Sequence, residues 1–152
     1  MPTTPIVQAF IAFALATCGA ALWKGGPAER VASFLILVNI SLWMVAEGVI
    51  PDSFRYILQL TDDGITAIGL LVVTVRYGSP WLGVAMLLYG GQFALHAYYF
   101  VMELPSDNFH AMVNNLDFMG VILCLAFGTA MVVRRRIRAR DAARAAGETR
   151  PA

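Results

Sequence analysis

Seven ionisable residues of this chain, Glu47, Asp62, Asp63, His96, Glu103, His110 and Asp117, fall at or inside apolar stretches of sequence. Charge placed at such depth costs free energy, so by default it marks a functional site. Carboxylates and imidazoles are the groups that move protons near neutral pH. The first expectation is therefore acid–base chemistry in an apolar setting.

Their spacing is as telling as their identity. Tyr89, Gln92, His96, Tyr99 and Glu103 recur at intervals of three and four, which puts them on one stripe of a helix. His110, Asn114, Asp117, Val121 and Cys124 form a second stripe. Gln59, Asp62, Asp63 and Thr66 form a third, and Asn39, Trp43 and Glu47 a fourth. The first two stripes flank Pro105-Ser106-Asp107, so a hairpin there would set Glu103 level with His110, Tyr99 with Asn114, and His96 with Asp117. His96 beside Asp117 would offset the burial cost of both.

The elements that must hold these residues are membrane helices. The chain has 152 residues, of which 59% are hydrophobic and 14% charged, and its mean hydropathy is +0.67. Apolar runs of about 20 residues are long enough to span a bilayer core. The spacing predicts an all-α, polytopic membrane protein with five helices at about 6–23, 31–50, 53–77, 81–103 and 108–133. Lys24-Gly25-Gly26-Pro27, Pro51-Asp52 and Gly78-Ser79-Pro80 break the first three connections. Asp52 or Ser53 is the expected N-cap of the third helix, and Ser106 or Asp107 that of the fifth. Residues 1–140 form one bundle and 141–152 a polar cytoplasmic tail, which reads as a frayed helical extension beside anionic lipid. Gly120, Cys124 and Gly128, four apart, let the last helix pack closely on a neighbour.

Lys24, Arg30 and Arg76 share one side with Arg134, Arg135, Arg136, Arg138 and Arg140. Positive charge stays inside, so the N-terminus is expected outside and the C-terminus inside. Met1 to Gln8 has no Lys or Arg, so the first apolar run reads as a retained helix rather than a cleaved leader. Ten of the eleven basic residues are Arg, a composition of GC-rich bacterial genomes, which places the protein in a bacterial inner membrane. Cys18 and Cys124 read as two apolar core residues rather than a disulfide.

Three readings of the polar stripes stay open. They are satisfied polar glue between helices, or a metal site on His96, His110 and nearby carboxylates, or an acid–base pocket for an apolar ligand. No H-x-x-x-H or E-x-x-H pair supports the metal, and no cofactor is called for. Trp43, Tyr89, Phe93, Tyr99, Phe100 and Phe118 are expected as pocket walls, whose ring faces stabilise cations. Glu47, Asp63, His96 and Asp117 are the expected proton-transfer groups. Trp43, Asp62, Gln92, Tyr99, Glu103, His110 and Asn114 are the expected ligand-binding ones. The inner halves of helices one, two and five offer little beyond Thr17, Cys18, Ser33 and Thr129, which argues against a channel.

Short motifs add a resemblance. Glu47-Gly48 near the outer end of helix two, Asp63-Gly64-Ile65-Thr66-Ala67 in helix three, and Tyr98-Tyr99-Phe100-Val101-Met102-Glu103 closing helix four resemble the EXPERA superfamily. The likeness is greatest to its emopamil-binding-protein-like sterol Δ8–Δ7 isomerases. That resemblance implies five helices in this orientation, a sterol or isoprenoid ligand, and Glu47 and Asp63 as a carboxylate pair that moves a double bond. The chain departs from the pattern in three places. Trp43 stands where the isomerases have His, Gly120 where they have Asn, and His96 where they have Asp. His96 is then the candidate for the missing imidazole role. The expected partners are membrane lipid and an apolar small molecule, with a homodimer or larger membrane complex possible and no nucleic acid. The competing reading is non-enzymatic: an accessory subunit, or a bundle that handles ions, protons or metal.

Overall fold

A computed structural model describes residues 5–148. Five helices follow one another, with no strand among the described residues: α1 (Pro5–Lys24), α2 (Pro27–Val49), α3 (Asp52–Tyr77), α4 (Pro80–Val101) and α5 (Asn108–Glu148). The connections are short, so successive helices run antiparallel. Each helix packs on its chain neighbours, and α1 packs on α5, which closes the bundle into a ring.

The outside of that ring is apolar. Phe34, Ile68, Val75, Leu87, Leu116 and Phe127 are all more than half exposed. A water-soluble monomer rarely shows contiguous apolar surface on this scale, and lipid is the solvent that suits it. Four helices, α1, α2, α3 and α5, are long and apolar enough to cross a membrane. With 22 residues, α4 is also long enough, at about 1.5 Å per residue. Its hydropathy is diluted by Tyr89, Gln92, His96 and Tyr99, and all four of these turn inward.

Small residues dominate the core of the half that holds the α1–α2 and α3–α4 connections, where Ala14, Cys18, Ala21 and Ala32 are fully buried around Ile36, Leu82 and Leu125. Both cysteines are free. Polar groups in this half are satisfied locally. Ser33 Oγ donates to the Cys18 carbonyl at 2.9 Å, and Thr129 Oγ1 donates to the Leu125 carbonyl at 2.8 Å. The buried Glu29 accepts the Gly26 N–H at 3.0 Å and so holds the start of α2. Arg136 reaches from α5 to donate to the Lys24 carbonyl at 2.9 Å, capping the C-terminus of α1 across the ring closure.

Several boundaries differ from expectation. α2 begins at Pro27 rather than near residue 31, because Pro fits the first helical turn and Glu29 supplies the capping carboxylate. The cap position of α3 is held by Pro51, not Asp52 or Ser53. Asp107 does cap α5, accepting the His110 N–H at 2.8 Å. α4 stops at Val101 rather than 103. α5 runs beyond residue 133 and continues past Arg140 as one helix to Glu148, in keeping with the expected helical extension; residues 149–152 of the expected tail lie outside the described residues.

The end of α4 changes the α4–α5 register. The chain folds back beside the last turn of α4, where Leu104 N–H donates to the Tyr99 carbonyl and Tyr99 Oη to Asp107 Oδ1 at 2.8 Å. Glu103 takes a positive φ of 51° in this turn. α5 therefore starts level with Tyr99. The Tyr99 ring packs at a tilt against His110, Gly120 meets Leu88, and Gly128 meets the Trp81 ring. In that same register Asp117 lies beside Gly91, about five residues, or roughly 7 Å of helix rise, away from the expected position opposite His96.

Candidate functional site

A cavity of about 200 Å³ opens in the half of the bundle that holds the α2–α3 and α4–α5 connections, and all five helices contribute to its wall. α3 brings Gln59, Asp62 and Asp63; α4 brings Gln92 and His96; α5 brings His110, Asn114 and Phe118; α2 brings Asn39 and Trp43. The stripes read from the sequence converge because each occupies the inward face of its own helix at the same depth. α1 adds an apolar wall of Val7, Phe10 and Ile11. These three were not foreseen, since no polar residue distinguishes them from lipid-facing positions.

At the centre His96 Nδ1 donates to Asp63 Oδ2 at 2.5 Å. The two residues are 8% and 4% exposed, so this hydrogen-bonded partner is what makes their burial tolerable. Asn39 joins the neighbouring carboxylates, its Nδ2 donating to Asp62 Oδ2 at 2.8 Å and reaching Asp63 Oδ1 at 3.3 Å. The fully buried Tyr89 supports Asn39 from below, its hydroxyl donating to Asn39 Oδ1 at 3.4 Å. Asp62 and Asp63 thus both face the cavity, with Asp63 the deeper and Asp62 partly exposed.

His110 lies on the other side of His96, with ring centroids 5.0 Å apart. Its Nδ1 meets Ser106 Oγ at 3.1 Å. Asp107, in the loop outside the apolar spans, is held below the ordinary carboxylate range. The His110 backbone N–H is the chief cause, followed by the Tyr99 hydroxyl.

Three buried polar atoms on the cavity wall have no protein partner: Gln92 Oε1, Asn114 Oδ1 and His110 Nε2. A buried polar atom left unpaired costs on the order of 1–3 kcal/mol. Three on one cavity are the signature of a site completed by water or a ligand.

Not every expected residue is here. The side chain of Glu47, in the last turn of α2, lies outside the described residues. Asp117 is not on the cavity wall, and the partner of His96 is Asp63, because of the register set by the α4–α5 turn. Glu103 is exposed in that turn rather than level with His110 in a helix. Tyr99 is buried behind His110 rather than lining the cavity. Of the expected aromatic walls, Trp43 and Phe118 line it, whereas Phe93 and Phe100 are substantially exposed. Among the described residues no three His, Cys, Asp or Glu side chains converge as metal ligands.

The arrangement is a proton donor–acceptor pair at the bottom of an amide- and aromatic-lined chamber whose surroundings are apolar. Comparison of the chain with known protein families, curated proteins and solved structures gave no match.

Proposed function

We propose that this chain is a five-span integral membrane protein of a bacterial inner membrane, N-terminus outside and C-terminus inside, whose outer-half cavity binds an isoprenoid or sterol-like ligand and isomerises a double bond by proton transfer. The Asp63–His96 pair carries this reading, because it is a buried carboxylate–imidazole couple on the wall of a cavity with unpaired polar atoms. The Arg-rich end of α5 supports the orientation. The inward polar stripe of α4 supports its place as the fifth span.

In this mechanism Asp63 and His96 hold the proton that is delivered to one alkene carbon. That C–H bond forms as the π bond opens, and the positive charge falls on the neighbouring carbon. Trp43 and Phe118 face that charge across the cavity. A second carboxylate removes the allylic proton and the double bond re-forms one position along, with no net proton consumed. Asp62 is the described carboxylate best placed for that removal, and Glu47 is the candidate that the EXPERA-like pattern adds. A volume of about 200 Å³ takes the reacting end of such a ligand and leaves the rest to the lipid.

The experiment is identification by mass spectrometry of the small molecules extracted with the purified full chain. Isoprenoid lipid enriched over the bulk membrane is the expected result, with Trp43→Ala losing most of it. Asp63→Asn keeps the ligand and abolishes its conversion to the double-bond isomer. Bulk-membrane composition in the extract, the same for wild type and Trp43→Ala, defeats the proposal.

A further inference from the structure

The Asp63–His96 pair is buried, with each residue less than a tenth exposed at the wall of the cavity. In a membrane the flanks of the bundle face lipid, and the half opposite the cavity is packed with small apolar side chains whose few polar neighbours are bonded locally. A group that gives up a proton there needs a route to regain one. The structure assigns that route to His110 and Ser106: we propose that they form a one-sided proton path between the buried pair and the aqueous end of the bundle. The inference rests on the membrane reading above, but not on the identity of the ligand.

Three observations carry it. First, His110 is the neighbour of the pair on the side of the α4–α5 turn, its ring centroid 5.0 Å from that of His96 with no direct hydrogen bond between them, so transfer needs a small ring rotation or one bridging water molecule. Second, its two nitrogens face different surroundings. Nε2 is buried and has no partner, whereas Nδ1 meets the hydroxyl of Ser106, an exposed loop residue. Third, the ring is held in place. Asp107 fixes the His110 backbone at the first turn of α5, and Tyr99, bonded to the same carboxylate, packs at a tilt against the imidazole. A histidine wanted only for helix capping or packing does not need a buried empty nitrogen on one side and an exposed hydroxyl on the other.

The transfer balances within these groups. With Ser106 Oγ–H donating to Nδ1, His110 carries its proton on Nε2. That N–H bond breaks as the proton passes to a water molecule bridging the two rings, and that water gives a proton to the other nitrogen of His96, whose Nδ1 is engaged by Asp63. Ser106 passes its proton to His110 Nδ1 and takes one from a hydronium ion of the aqueous phase, which is left as water. The return hop restores the first tautomer, so the path equilibrates protons in both directions. It ends at Asp63, since no comparable chain of groups continues among the described residues of the half opposite the cavity.

The groups that face His110 are His96 and Tyr99 from α4, Asp107 and Ser106 from the loop, and the carboxylates of Asp62 and Asp63 across the cavity on α3. The described cavity residues of α1 and α2 add no titratable side chain. His110 is a positioning and relay residue, so its test must read proton movement rather than stability.

The experiment follows solvent exchange of the His96–Asp63 proton by nitrogen-15 histidine NMR on the full chain in lipid nanodiscs, without ligand. The probe is deuterated water. Exchange in the wild type should follow the titration of His110 observed in the same spectra. His110→Phe should slow it by at least about tenfold and erase that pH profile, with the His96 Nδ1 signal unshifted. Ser106→Ala should slow it by a smaller factor. An unchanged rate and profile in both variants overturns the path; where His110→Phe does not fold, an unchanged Ser106→Ala alone does so. Acceleration in Trp43→Ala with no response to the two path variants also overturns it, because protons would then enter past Trp43 rather than past His110. Exchange along the path in a protein that retains no isoprenoid would defeat the proposed function and leave the path standing.

Discussion

Asp63 and His96 show how a membrane bundle keeps two costly groups in its interior. Each supplies what the other lacks, and Asn39, held by Tyr89, restrains the neighbouring Asp62. Removing one partner leaves the other buried and uncompensated. For a buried pair that loss is typically about 3–5 kcal/mol. His96→Phe should therefore lower the thermal midpoint more than Gln92→Leu, which replaces a side chain whose Oε1 already lacks a partner. Equal losses, read by thermal unfolding in the same detergent, would mean that the pair contributes nothing special.

Asp107 makes a separate residue-scale prediction. Its folded-state pKa lies below the ordinary carboxylate value. Its stabilising contribution is thus fully present above that ordinary value, near 4, and is lost as pH falls through the depressed one. Amide exchange at His110 should accelerate in that acid window. Asp107→Asn should remove the pH dependence, because asparagine caps without titrating.

At the scale of the element, the α4–α5 pair decides which side chains meet. Its register is fixed at three heights by close contacts: Tyr99 against His110, Leu88 against Gly120, and Trp81 against Gly128. A Cβ on Gly128 would lie 2.4 Å from the Trp81 ring. Gly128→Val must therefore push the indole or the helix aside, at a cost of about 1–3 kcal/mol. Trp81→Ala in the same chain should recover part of that loss. If Gly128→Val unfolds no more easily than wild type, the helices do not meet there as described. The consequence for the site is direct, since this register brings His110 to His96 and leaves Asp117 beside Gly91.

At the scale of the molecule, a closed ring of five helices gathers the cavity-lining polar groups toward one end of a largely apolar body. α5 runs for 41 residues, about 60 Å at 1.5 Å per residue, well beyond a bilayer core of about 30 Å. Its Arg-rich continuation projects from the end opposite the cavity. Topology reporters fused at the two ends should place the C-terminus inside and the N-terminus outside. Both ends on the same side would require an even number of spans and would remove α4 from the membrane.

The sequence by itself determined the helices, their order and the end at which polar residues gather. These follow from local periodicity, from Pro and Gly breaks, and from the cost of placing charge in an apolar run. The inward stripe from Tyr89 to Tyr99 and the Asp107 cap were legible for that reason. Only the tertiary structure decided the partners. His96 could have met Asp117 or Asp63, and the choice depended on a turn in which Glu103 leaves the helix and the chain doubles back beside Tyr99. Likewise, nothing local separates Phe10 on the cavity wall from Phe34 on the outer surface. In a membrane protein both faces of a helix are apolar, so hydropathy cannot tell the inside from the lipid side, and packing alone makes that distinction.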